Sequence, residues 1–215
     1  MKNSYLLRKA NVWVPGAAAM TEKLKNLYSN LKALSADELI EIIERIGIID
    51  AKPDNGKMFA PFPLTQESLR KFSDRVGRKE ELILAIMLSV ITVVETNAEI
   101  ALTRYCKDGG IDVALFENGK FQIGFDSKGN IATYDINVNR LGSLVDSGAA
   151  IVRIVDVYTK DGFVEDKAFL FKTSREHFII NLACYLLSGE ATNKTVVEEV
   201  DSYIDSILHP IKKTS

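Results

Sequence analysis

The sequence predicts an α+β protein. Its core is a five-stranded antiparallel sheet, a meander plus a hairpin, packed on a long central helix and two C-terminal helices, with an N-terminal helical segment in front. Three observations predict this. The run from Leu82 to Val94 is apolar in nearly every helical direction, as in a buried helix. After Gly110 the apolar period changes from helical to two, the mark of strands. Behind those strands, helical periodicity returns after a capping sequence.

Taken in order, the first fifteen residues hold only Val12-Trp13-Val14, a short strand-like piece stopped by Pro15-Gly16. Trp13, the single tryptophan, reads as a core plug. From Ala17, Met20, Leu24, Leu27, Leu31 and Leu34 recur at helical spacing. Ser35-Ala36-Asp37-Glu38 is a capping box, opening a helix with Leu39, Ile42, Ile43 and Ile46 on one face and Gly47 as its stop. Asp50 to Leu64, with Pro53, Asn55-Gly56, Pro61 and Pro63, reads as a long loop. Thr65 then caps a short helix that ends at Gly77.

The central helix is expected over 79 to 107. Glu80 and Glu81 suit its positive end, and Gly109-Gly110 suits its exit. Ser89, Thr92, Thr96, Glu99 and Thr103 would form one polar stripe along it. The charge-free run is shorter than the roughly 20 apolar residues a membrane span needs, so no span is expected. Strands follow at Ile111 to Glu117, Lys120 to Asp126 and Ile131 to Val138, with Asn118-Gly119 as a tight turn. Ala149 to Thr159 and Phe163 to Lys172 read as a second hairpin about Asp161-Gly162. Thr173 to Glu176 reads as another capping box, and the last helix spans about Lys194 to Leu208 before Pro210. Residues 1–77 are expected as an N-terminal helical segment or subdomain and 78–215 as the core domain.

The bulk numbers bound the function. A formal charge of -2 over 215 residues gives no global field for nucleic acid. Two cysteines without metal-type spacing, and no visible signal peptide, fit reduced thiols and a cytoplasmic protein. No phosphate-binding glycine loop, dinucleotide fingerprint or nucleophile elbow occurs. Glu95 and Glu99, four apart on the expected helix, read as paired structural carboxylates, since no Glu-x-x-His accompanies them.

Abundant apolar sequence without a catalytic motif gives the leading expectation. It is a non-enzymatic interaction protein, accessory, regulatory or chaperone-like, that self-associates as a homodimer or binds another protein. Met58, Phe59 and Phe62 would be partner-binding, and no cofactor is needed. The alternative is a divalent-metal-dependent nuclease or phosphodiesterase. If the second hairpin forms, Asp156, Glu165 and Lys167 share one face of adjacent strands, two carboxylates for Mg²⁺ and a lysine for water. Nucleic acid is a partner only under that alternative.

Overall fold

A computed structural model of the chain describes residues 14–53, 59–65, 79–103, 111–128, 150–156, 164–167, 170–189 and 192–209. The first helix, α1 (Ala17–Ala33), buries the expected seam of Met20, Leu24, Leu27 and Leu31. Helix α2 (Ala36–Arg45) opens on the Ser35 capping box, in which the hydroxyl accepts from the Glu38 amide and the Glu38 carboxylate accepts from the Ser35 amide at 2.7 Å. Gly47, at φ 75°, turns the chain out of the helix where a side chain would be strained.

The expected loop at 50–64 contains two strands instead, β1 (Ile49–Pro53) and β2 (Phe59–Phe62), paired antiparallel. Its prolines misled: they sit where a strand tolerates them, at the end of β1 and on the outermost strand.

The continuous rod over 79–107 is overturned. Helix α3 (Lys79–Ser89) passes into a single 3₁₀ turn at Val90–Val93, and Ala98–Thr103 is strand β3. The reason is local. Val90, Ile91, Thr92, Val93 and Val94 are β-branched and stiff against a preceding helical turn. The Ser89 hydroxyl also donates to the Ile86 carbonyl and the Thr92 hydroxyl to the Ser89 carbonyl, competing with the helical ladder. Every residue from Leu82 to Ile91 is nevertheless buried, as the all-round apolar pattern requires.

Strands β4 (Val113–Glu117) and β5 (Lys120–Lys128) form the expected hairpin on Asn118-Gly119, both residues at positive φ. The expected strand at 131–138 lies outside the described residues. Then come β6 (Ala150–Val155), β7 (Val164–Lys167) and β8 (Leu170–Ser174). The second hairpin is also overturned. β6 runs parallel to both β5 and β8, and β7 lies outside β8. Helices α4 (Arg175–Leu186) and α5 (Asn193–Leu208) close the chain.

The sheet is therefore not a five-stranded antiparallel one. Among the described residues it is mixed, with eight strands in the order β2-β1-β3-β4-β5-β6-β8-β7. The crossovers allow parallel neighbours, and continuous burial on both faces gives β6 a wholly apolar look broken only by Arg153. One face carries the helices and the main core, which joins Met20, Leu24, Ile86, Phe125, Val152, Phe178 and Leu182. The other face holds a smaller cluster of Ala51, Ala101, Ile111, Ala114, Phe116, Phe121, Ile151 and Leu170. β2 approaches β5 although three strands separate them in the order, so the sheet curls around that second face.

Two outcomes follow. Ile86 is fully buried between α3 and its neighbours, so Ile86→Ala lowers unfolding free energy by about 2–5 kcal/mol in urea titration; a loss below ~1 kcal/mol contradicts that packing. Hydrogen bonds from the Ser35 amide and hydroxyl hold the Glu38 carboxyl below its ordinary value. Its contribution is complete above the usual carboxylate range and disappears as pH falls through the depressed value. Glu38→Gln should flatten that part of the acid limb of helix stability followed by circular dichroism, and an unchanged acid limb counts against the cap.

Candidate functional site

Polar groups gather at the carboxyl ends of the parallel strands. β5, β6 and β8 end level with one another, Lys128 in register with Val155 and Val155 with Ser174. Carboxyl ends of parallel strands are where open sheets present reactive side chains. Here they present Asp126, Ser127, Asp156 and Ser174, and Asp112 enters from the start of β4.

Asp112 is fixed from several sides. Its amide donates to the Phe125 carbonyl at 2.7 Å, and its Oδ2 accepts from the Ser127 amide at 2.8 Å. It thus clasps β5 on both sides of Asp126. Its carbonyl accepts from the Thr103 amide at 3.0 Å, and the Thr103 hydroxyl donates to the Ile111 carbonyl. The approach depends on Gly124: a Cβ there would sit 2.7 Å from Cδ1 of Ile111. That distance is too short for two carbons, so the glycine lets Ile111, and Asp112 after it, lie close on β5.

Asp126 is fully buried and in register with Arg153 of β6, whose Nε donates to its Oδ2 at 2.9 Å. Arg153 is itself 5% exposed and is followed in register on β8 by Lys172. A charge moved out of water this completely persists only when paired. Asp112 is partly exposed, whereas Asp126 is not.

Arg175, the first residue of α4, braces the outer rim. Its Nε and Nη2 both reach Oδ1 of Asp156, at 2.8 and 2.7 Å, and Nη2 also donates to the Ser127 hydroxyl at 3.2 Å. Nη1 lies 3.5 Å from Glu80 of α3, and the guanidinium covers the Tyr28 ring at 5.2 Å. The Tyr28 hydroxyl donates to Glu80 at 3.3 Å. Burial pushes the Tyr28 phenol up to about 12, against the lowering effect of Arg175 and with the help of Glu80.

The expected site residues fall elsewhere. Asp156 is exposed and engaged by Arg175. Glu165 and Lys167 lie on β7, in register with Phe171 and Leu170, and β8 stands between them and β6. The cross-strand facing of Asp156 and Lys167 that motivated the trio is absent. Met58 lies outside the described residues. Phe59 starts β2, and Phe62 at its end is 40% exposed. Glu99 lies on β3 and Glu95 in the connection before it, where it accepts from the Tyr185 hydroxyl at 3.0 Å. Burial raises the Cys184 thiol, as for an inert core cysteine, while Cys106 lies outside the described residues. His177 Nδ1 sits 2.8 Å from the Ser174 hydroxyl that caps α4, one residue later than the expected Thr173 cap.

A regular hairpin on Asn118-Gly119 hides the aspartate pair: it would set Val113 against Gly124, whereas an irregularity between Leu115 and Phe116 shifts Val113 to Phe125 and so moves Asp112 towards Asp126. The signal was present: a strand ending Asp126-Ser127-Lys128 beside another opened by Asp112. Among the described residues, no three His, Cys, Asp or Glu side chains converge into a metal cage. Mg²⁺ does not require one, since it keeps several waters and takes one or two carboxylates plus substrate phosphate.

Replacing Arg175 by Ala should cost about 2 kcal/mol in urea unfolding, the scale of losing charged hydrogen bonds. Arg175→Lys should recover under half of that loss, because an ammonium lacks the planar fork that spans Asp156 and Ser127. Full rescue by lysine would mean that charge alone matters.

Compared with protein-family models, curated proteins and solved structures, the chain finds no match.

Proposed function

We propose that the chain is a divalent-metal-dependent phosphodiesterase acting on nucleic acid, centred on Asp112 and Asp126. The observation that carries this reading is the clasp of Asp112 around Asp126 at the end of β5. It brings two hard oxygen donors from separate strands together beside an acid-x-lysine step, Asp126-Ser127-Lys128. The chemistry is that of the expected alternative, moved to different residues. The self-association reading draws less support, because among the described residues Phe62 alone is a large exposed hydrophobic side chain.

Oxygen donors of this kind select Mg²⁺ or Mn²⁺. Asp112 and Asp126 would hold the ion, which would supply Lewis acidity to the phosphate. The water gives up a proton to solvent as its oxygen forms the new bond to phosphorus, the ester P–O bond on the far side breaks, and the leaving oxygen takes a proton from solvent. Lys172, partly exposed and in register with Arg153, is assigned as the cation for the phosphate.

The test is cleavage of single- and double-stranded DNA and RNA with Mg²⁺, with Mn²⁺, and with chelator. Cleavage is expected with either metal and not with chelator. Asp112→Asn and Asp126→Asn should each lower the rate by about 10²–10³-fold, the scale of losing a metal ligand worth several kcal/mol. No metal-dependent cleavage of any of the four substrates, or full activity in Asp112→Asn, overturns the proposal.

A further inference from the structure

We infer that an acid-edged groove along α5 is a docking surface for the chain's own N-terminal segment, residues 2–13. This goes beyond the phosphodiesterase reading and does not depend on it. The groove has a volume of about 540 Å³ and lies between α5 and the 3₁₀ turn that follows α3. Val93 of that turn and Tyr203 of α5 give it apolar walls. Thr195, Glu198, Glu199 and Ser202 line it as well. They recur on one face of α5 at steps of three and four, so the groove runs along the helix.

Its charge is one-sided. Asp201, on another face of α5, is met by Lys23 of α1 at 2.6 Å. Glu198 has Lys194 at 3.9 Å, both of them exposed. Among the described residues no basic side chain lines the groove. A complementary occupant therefore brings cations for Glu198 and Glu199, and apolar side chains for Val93 and Tyr203.

The sequence holds such a segment. Residues 1–13, outside the described residues, contain Lys2, Arg8 and Lys9 and no acid, together with Tyr5, Leu6, Leu7, Val12 and Trp13. The point where they join the fold is described, and it lies at the head of α5. The Pro15 carbonyl accepts from the Asn193 side chain at 3.0 Å, and Val14 is buried in the main core. Asn193 is the first residue of α5, two before Thr195. Glu198 and Glu199 lie roughly 8–9 Å beyond it along the helix axis. Lys9 and Arg8 stand five and six residues before Val14, a reach of up to roughly 16–20 Å. That spans the axial distance and the passage around the helix, and it leaves Leu6 and Leu7 for Val93 and Tyr203. Lys212 and Lys213 follow α5 in the chain and would have to double back to the same carboxylates.

The experiment uses the full chain. Carbodiimide joins a lysine to a carboxylate only where the two already meet. Peptide mapping of mixed light- and heavy-isotope chains separates links within a copy from links between copies. Wild type should show Lys9 joined to Glu198 or Glu199 within one copy. Trp13, the single tryptophan, reports on the segment directly. Glu198→Lys with Glu199→Lys should raise acrylamide quenching of its emission by about twofold, as exposed ion pairs turned to repulsion release the segment. Arg8→Glu with Lys9→Glu should do the same, and all four substitutions together should restore the wild-type level. Circular dichroism serves as the folding check.

No link from Lys2 or Lys9 to Glu198 or Glu199 in wild type overturns the inference, whether or not any variant folds. Links found only between copies overturn it in favour of exchange between chains. Links from Lys212 or Lys213 in their place overturn it in favour of the C-terminal segment. Unmoved quenching in folded charge-reversal variants, or no recovery in a folded four-fold variant, overturns it as well.

Discussion

Arg175 fastens the layers of this protein to one another. A guanidinium offers five donors in a rigid plane, and this one is only 12% exposed, so its donors must be met within the protein. They are met by Asp156 after β6, Ser127 on β5 and Glu80 on α3, while its flat face lies on Tyr28 of α1. Four elements distant in sequence are thereby set against the first residue of α4. The same side chain touches Ser127, whose amide holds Asp112. Packing of the helical layer and the geometry of the aspartate pair thus share one residue.

The two faces of the sheet divide the work. The helical face holds the large apolar side chains and supplies most of the burial that stabilises the fold. The other face is lined with small residues and a few phenylalanines, and its polar row runs through Asp126 and Arg153. Small residues matter there because the curl brings β2 back towards β5. The parallel pairs β1–β3, β5–β6 and β6–β8 all join strands far apart in the chain. Closing such loops before any contact rewards them makes for slow folding.

Much of the architecture was legible in the sequence. Caps, glycine stops and heptad-like seams located α1, α2, α4 and α5, because those signals act within one or two turns. Asn118-Gly119 located the β4–β5 turn for the same reason. What failed was long-range. An apolar run buried on all sides reads alike as helix or strand, so the change from α3 to β3 near Ala98 was invisible to periodicity. Which strands pair, and in which direction, depends on crossovers that leave no local mark. Phe163 to Lys172 was therefore read as the second half of a hairpin, when β8 runs parallel to β6. The candidate site followed the same pattern: Asp112 and Asp126 are 14 residues apart, and only the register of β4 on β5 unites them.

Among the described residues the sheet ends at β2 and β7, each four residues long. β2 also carries Pro61, opposite Ala51, which offers no amide hydrogen to a newcomer. Short, proline-bearing borders are poor templates for adding a strand from another molecule. Along these two described borders, crowded copies of the chain find little seam along which to zip into fibrils, and an extended peptide seeking to prolong the sheet finds little to grip.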